Sequence, residues 1–340
     1  MLTDIGIDLG TASTVICSGR QIVLHEPSVV ALETQTGRPL KFGGEAAAMI
    51  GKTPDSITAV CPVEHGVIAN YDAAEHMLRY YLKKVCGTKM VKPRVLVSAP
   101  AGITAVQQRS IMDALQNAGA RTVCLIEAPV AAALGVGVDF SRPHGTIIVD
   151  IGAGTTDVAV LSMGGLAQCE SIKIAGGEFD EAIIKYVRKE YNILIGSKSA
   201  EYIKQQIGCV VQRPVEVAMK AKGRNLFTGL PQVFEISANE VCTAVTDVSY
   251  GICNGIQSVL ENTPPELVGD IAGDGMVITG GGALIHGMCE LLTRYTGIKA
   301  SLTDDPFTCV ARGTGKALDN LDLLKNGDYE FRTLQDLIVN

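Results

Sequence analysis

With 340 residues, the chain is long enough for two domains and a large buried core. It is 47% hydrophobic and 19% charged, yet no stretch reaches the roughly 18 uninterrupted apolar residues of a membrane span. A net charge of −7 without a basic cluster argues against nucleic acid as the main partner. Met1-Leu2-Thr3-Asp4 runs straight into a strand, so no signal peptide is expected. The ten cysteines are scattered, with no Cys-x-x-Cys spacing, and most lie in apolar runs. They read as reduced thiols of a cytoplasmic protein, not as a disulfide framework or a zinc site. The five histidines stand apart from one another, and none is assigned to a metal.

In chain order, Ile5-Gly6-Ile7-Asp8-Leu9-Gly10-Thr11-Ala12-Ser13-Thr14-Val15 reads as strand, tight turn, strand. Two more strands are expected within 21–32. Residues 37–62 form a small separate unit with a helix near 45–50. Asp72, with Glu75 three residues on, is expected to N-cap a helix whose apolar face is Met77, Leu78, Tyr81, Leu82 and Val85. A strand at 95–98 precedes a helix opened by Thr104 and Gln107. A strand at 123–126 precedes Glu127-Ala128-Pro129 and a helix over 130–134. Alternating strand and helix makes this half an α/β domain.

The second half opens on Gly145-Thr-Ile-Ile-Val-Asp150-Ile-Gly152-Ala153-Gly154-Thr155-Thr156-Asp157-Val-Ala-Val-Leu161, again strand, turn, strand. A helix is expected to about Tyr191. Residues 178–239 look like an insertion, with Val215, Val217 and Met219 in strand alternation. A long helix covers about 239–261, Thr263-Pro264-Pro265-Glu266 caps another, and a last main helix spans 307–318. Between these lies Met276-Val-Ile-Thr279-Gly280-Gly281-Gly282-Ala283-Leu284, a strand, three glycines and the start of a helix.

By itself the turn at Gly152 is consistent with a plain hairpin. Its repetition changes the reading: Asp8 and Asp150, 142 positions apart, end matching strands at the mouths of matching turns. Such a repeat implies two similar halves facing across a cleft. Glycines let backbone approach a ligand and adopt φ > 0, successive N–H groups form an anion nest, and a carboxylate holds magnesium through its waters. The pattern is neither a P-loop nor a dinucleotide fingerprint. The flat backbone of Gly280 to Gly282 suits a base or sugar.

These three segments, in this order, resemble the actin, sugar-kinase and chaperone ATPase superfamily. The likeness narrows with Glu26-Pro27-Ser28-Val29-Val30-Ala31, Gly66-Val67-Ile68-Ala69, Lys92-Pro93-Arg94-Val95, Asp180-Glu181-Ala182-Ile183 and Pro264-Pro265-Glu266-Leu267. With Asp8 to Thr14 and Thr279 to Ala283, they resemble the MreB family of bacterial rod-shape actins nearly end to end. The resemblance implies an actin-like ATPase fold of two duplicated α/β domains, each with a small subdomain, around a nucleotide cleft. It places subdomain IA at 1–30, 63–142 and 306–340, IB at 31–62, IIA at 143–177 and 240–305, and IIB at 178–239.

It further implies that Gly10, Thr11, Ala12 and Ser13, with Gly152, Ala153, Gly154 and Thr155, contact the phosphates of ATP. Asp8 and Asp150 would hold Mg2+. Gly280, Gly281, Gly282, Ala283 and Leu284 would meet the nucleoside, and Glu201 and Lys204 would close over base and ribose. Glu127, helped by Thr156, would position the attacking water; the alternative is a glutamate that merely suits a helix N-terminus. The implied partners are further copies in filaments, the inner face of the cell membrane, and membrane-bound cell-wall elongation proteins. Met90 and Val91, flanked by lysines, are the candidate lipid-facing loop, the alternative being that both fold back onto the domain. Four positions depart from the family pattern: Ala153, Ala128, Asp157 and Gln206. A small-molecule kinase of the same superfamily is the competing reading; a chaperone ATPase would need a further peptide-binding domain.

Overall fold

The computed structural model describes residues 4–87, 92–319 and 332–333. The β-branched runs flanking each glycine turn pair as antiparallel hairpins. Asp4–Leu9 pairs with Ser13–Ser18, with Leu9 opposite Thr14. Thr146–Ile151 pairs with Thr156–Ser162, with Asp150 opposite Asp157. Both turns close alike: the Gly10 N–H donates to the Ser13 carbonyl at 3.1 Å, and the Gly152 N–H to the Thr155 carbonyl at 2.9 Å. The sequence repeat is a structural repeat.

Each hairpin seeds the same five-strand arrangement. One sheet runs Gln21–Pro27, Ser13–Ser18, Asp4–Leu9, Arg94–Ala99, Thr122–Glu127, and the other Gly165–Ile172, Thr156–Ser162, Thr146–Ile151, Met276–Thr279, Ala300–Leu302. The last three strands of each are parallel, so their carboxyl ends open on one side. That is where ligands lodge in open α/β sheets. Arg332–Thr333 adds an antiparallel edge to the first sheet.

A small three-stranded sheet rises from each half. The first comprises Pro39–Phe42, Val30–Glu33 and Ile57–Val60, with the short helix Gly43–Ala47. The second comprises Ile193–Leu194, Ala218–Asn225 and Pro231–Ser237, with the helix Ser197–Ile207 beside it.

The helices that end the two halves change sides. Ala128–Val136 follows the first sheet but packs on Thr146–Ile151 and Thr156–Ser162 of the second. Cys309–Asp319 follows the second and packs on Asp4–Leu9, Ser13–Ser18 and Arg94–Ala99 of the first. Ala128 to Ala133 are all buried, as a helix enclosed on every side requires. The two helices cross at glycines: a Cβ on Gly135 would lie 2.0 Å from the Cys309 carbonyl oxygen, and one on Gly313 1.6 Å from that of Ala131. A cluster including Leu96, Ile126, Ala131, Ile148 and Val310 joins the halves here.

Several expectations are met closely. Thr104 and Gln107 form a reciprocal capping box on Ala105–Ala118, the long helix runs Ala238–Glu261, and Pro265 opens the next helix. All ten cysteines are free thiols. Others need correction. Asn70, not Asp72, caps Tyr71–Cys86, its side chain accepting the Ala73 N–H at 3.1 Å. Val215 and Val217 precede the strand and are exposed. After Gly280 the chain makes only a four-residue 3-10 turn, Gly281–Leu284. Strand Gly165–Ile172, with weak alternation, was not anticipated.

Gly313→Ala is expected to destabilise the protein by about 1–3 kcal/mol, because the helices must separate to admit a methyl. Urea unfolding with an unchanged midpoint would show that the crossing is loose.

Candidate functional site

The carboxyl ends of Asp4–Leu9, Arg94–Ala99, Thr146–Ile151 and Met276–Thr279 converge on a cavity of about 450 Å³ between the halves. It is the size of a small-molecule site. Asp8, Gly10 to Ser13, Asp150, Gly152 to Thr155, Glu201, Lys204, Gly280 to Gly282 and Leu284 all line it. These residues, though up to 276 positions apart in sequence, therefore share one surface.

Three of the expected site residues stand behind that surface. Thr156 is fully buried, and its hydroxyl donates to the Ile174 carbonyl at 2.7 Å. Ala283 is 3% exposed, beneath the glycine turn. Glu127 lines an adjoining recess of about 20 Å³ that shares Ala99 and Pro100 with the main cavity. A recess of that volume admits about one water.

The glycines act through proximity. Gly152 and Gly154 do not have positive φ, contrary to expectation, and neither does Gly10. Instead a Cβ on Gly154 would lie 2.4 Å from the Thr11 hydroxyl oxygen, where the two hairpins meet. Ala153 likewise has an ordinary φ, so its methyl is accommodated where the family pattern has glycine. Gly280 does need its freedom: φ is 88°, and a Cβ there would lie 2.4 Å from Asp150 Oδ1.

The floor is acidic. Ser98 Oγ donates to Asp8 Oδ1 at 2.9 Å, and Thr155 Oγ1 donates to Asp157 Oδ2 at 3.1 Å, leaving Asp157 Oδ1 buried without a partner. Burial pushes the Asp8 and Asp157 carboxyls up to about 6. Ser98 moderates the first and the Asp157 charge adds to it; Ser171 and Thr155 moderate the second. Asp150 is driven well above its ordinary range, by burial first and then by the charges of Asp157 and Asp8. Among the described residues no three such side chains are grouped to ligate a metal directly. A divalent cation held through its own water shell fits both facts, and the open Asp157 Oδ1 is a ready acceptor for that shell.

The remaining walls are tied down. The Gly176 and Gly177 amides donate to the Gly152 and Ala153 carbonyls at 3.1 and 2.7 Å, fixing the second hairpin to helix Gly176–Tyr191. Lys204 Nζ lies 2.7 Å from the Gly176 carbonyl and 2.8 Å from Asp180. His65, at φ 48°, and Gly66 form the turn between Val63–Glu64 and Val67–Ile68. That turn wedges between the hairpins: His65 Nδ1 is 2.8 Å from the Gly154 carbonyl, and the Gly66 N–H donates to Thr11 Oγ1 at 3.0 Å.

Asp157 is the principal residue that sequence reasoning missed, although its cross-strand place opposite Asp150 follows from the turn length. Ser98, Gly176, Gln205, Arg213 and Phe307 also line the cavity. No local motif marks them.

A family model described as MreB/Mbl protein matches residues 2–326. The chain belongs to the MreB/Mbl family. It is 45% identical over 327 residues to the cell shape-determining protein MreB of Escherichia coli (strain K12), covering 94% of each. It is 42% identical over 323 residues to the cell shape-determining protein Mbl of Bacillus subtilis (strain 168), covering 94% of this chain and 97% of the relative. The crystal structure of MreB5 of Spiroplasma citri bound to ADP superposes with a TM-score of 0.91 at 36% identity, over 96% of this chain and 99% of that one. The same protein bound to AMPPNP gives 0.91 at 35% identity. The actin-like fold and the family resemblance are both borne out. The MamK double helical filament, at 22% identity and a TM-score of 0.79, shares the fold.

Removing charge from the floor is expected to stabilise the ligand-free protein. The Asp157 carboxyl binds its proton more tightly folded, at about 6, than at its ordinary 3.8. Its folded state therefore gains stability as pH falls through 6 and loses it as pH rises through 6. Asp157→Asn should raise the Tm at pH 7.5 by a few degrees, with the difference shrinking by pH 5. A lower Tm at pH 7.5 would show that the ionised carboxylate is a structural support.

Proposed function

We propose that this chain is a bacterial actin that binds ATP with Mg2+ between its halves, hydrolyses it slowly, and assembles into filaments that determine cell shape by organising cell-wall synthesis. The observation that carries this reading is the pair of matching hairpins meeting at Thr11 and Gly154 above the carboxylates of Asp8, Asp150 and Asp157, which line one cavity. Backbone amides of Gly10 to Ser13 and Gly152 to Thr155 would take the phosphates. Asp8, Asp150 and Asp157 would hold the cation through water; when bound, the ion neutralises phosphate charge. Glu201 and Lys204 would flank the nucleoside opposite Gly280 to Gly282 and Leu284. Glu127, beside a one-water recess, would orient the attacking water, which is the main demand of phosphoryl transfer to water. Thr156 and Ala283 would support this surface from beneath. The relatives bound to ADP and AMPPNP, and those named for cell shape, are consistent with the reading. The kinase alternative is not favoured: the likeness to cell-shape proteins covers 94% of the chain.

For assembly, the small units of the two halves supply head-to-tail contacts, which do not close and so propagate. In the second unit, Asn225 Oδ1 accepts the N–H groups of Phe227 and Thr228 at 2.8 and 2.9 Å, fixing a turn on which Phe227 is 81% and Leu230 65% exposed. No helix among the described residues is long and apolar enough to cross a membrane. Attachment to the inner face of the membrane would run through Met90 and Val91, which lie outside the described residues, and through membrane-bound cell-wall elongation proteins.

Sedimentation tests the whole reading. The protein should pellet with Mg2+-ATP, and more so with anionic liposomes, while Phe227→Ser with Leu230→Ser should stay in the supernatant with its ATP site intact. A protein that never pellets and consumes ATP only with a small-molecule acceptor would be a kinase. Within the site, Asp150→Ala should abolish magnesium-dependent hydrolysis, and Glu127→Ala should slow hydrolysis at least tenfold with nucleotide affinity unchanged. Equal loss of binding and hydrolysis on changing Glu127 would make it structural.

A further inference from the structure

One tie between the halves lies at the cavity floor, His65 to Gly154, beside the Gly66 N–H that Thr11 holds within the first half. A second lies at the rim. Lys198, the second residue of helix Ser197–Ile207, donates its ammonium to the main-chain carbonyl of Ala47, the last residue of helix Gly43–Ala47. These helices belong to the small units of opposite halves, 151 positions apart in sequence. The Ala47 oxygen also accepts the Ile50 N–H at 3.3 Å, and its second lone pair serves Lys198. A cation on a carbonyl at a helix C-terminus is a favourable pairing.

The placement of Lys198 gives this tie leverage. The same helix carries Glu201, Lys204 and Gln205 along the cavity wall, one to two turns further on. Its opposite face, Ala200, Ile203 and Ile207, is buried in its own half. The helix is thus fixed to one half by its apolar face and tethered to the other by its first turn. The halves also join at the hairpins, through His65, Thr11 and Gly154, and at the glycine crossing of Ala128–Val136 and Cys309–Asp319.

We propose that Lys198 is a clasp that holds the two small units together over the nucleoside end of the cavity and so lengthens the residence of a bound nucleotide. The inference rests on the nucleotide reading above. Lys198 is exposed, so the clasp is modest and sensitive to salt. Its loss should speed nucleotide release about two- to fivefold, the range for a single exposed charge at a helix terminus.

The test compares the full-length protein with Lys198→Met, which keeps the apolar stem without the donor, and Lys198→Arg, which keeps a cation. Stopped-flow displacement of a fluorescent ADP derivative should show two- to fivefold faster release from Lys198→Met and near-parental release from Lys198→Arg. Raising the salt from 50 to 500 mM should speed release from the parent and leave Lys198→Met unchanged. A second readout needs no nucleotide. Hydrogen exchange followed by mass spectrometry should be faster in Lys198→Met over residues 43–50 and 197–204, and unchanged in the strands of both sheets. Parental release with parental exchange would overturn the clasp. If the parent fails to bind the ADP derivative, the nucleotide reading falls, and the exchange measurement alone decides whether Lys198 ties the units together.

Discussion

Three carboxylates in one desolvated space are the constraint around which the rest of the molecule is arranged. Asp150 and Asp157 face each other across a hairpin, where like charges ordinarily destabilise a sheet, and Asp8 reaches the same floor from the other half. Burial raises all three, so ionising them together carries an electrostatic penalty that a cation with a polyanion would relieve. Anything that binds the folded state in this way also stabilises it, so ligand occupancy and fold stability are linked. The surroundings leave that space open. Gly280 is glycine because Asp150 Oδ1 occupies the direction of its Cβ, and Gly154 because Thr11 does.

What was legible in the sequence was what is local and repeated. The two hairpins could be read because β-branched runs, Asp and Gly recur in one order, and their turns close with the same hydrogen bond. The capping box at Thr104 was legible for the same reason, since both partners lie within four residues. Asp72 misled because two residues before it Asn70 is as good a cap, and the packing of Ala73, Ala74 and Met77 set which of them lies outside the helix. Asp157 sits within a buried strand, and its role depends on where the turn places it relative to Asp150. The reason for Gly154 could not be read locally, because the atom that forbids a side chain belongs to Thr11, in the other half. Arg213 and Phe307 reach the cavity only through tertiary packing.

The exchange of helices between the sheets ties the chemistry to the mechanics. Ala128–Val136 begins one residue after Glu127, at the one-water recess, and ends at the crossing glycine Gly135. Cys309–Asp319 begins just beyond Pro306 and Phe307, which line the cavity. The Pro306 carbonyl accepts the Gly280 N–H at 3.2 Å, and the Phe307 ring lies against Gly281. Each helix therefore starts at the wall of the site, in one half, and finishes packed on the sheet of the other. With carbonyl oxygens about 2 Å or less from where a Cβ would be, the crossing has no slack to absorb displacement. A shift at either wall must be passed on as a rotation of one half against the other. The floor tie of His65 to Gly154 lies close to that crossing and would change little in length, whereas the Lys198 tie lies at the rim and would change most. A weak contact at the rim can therefore govern opening where stronger contacts near the crossing cannot.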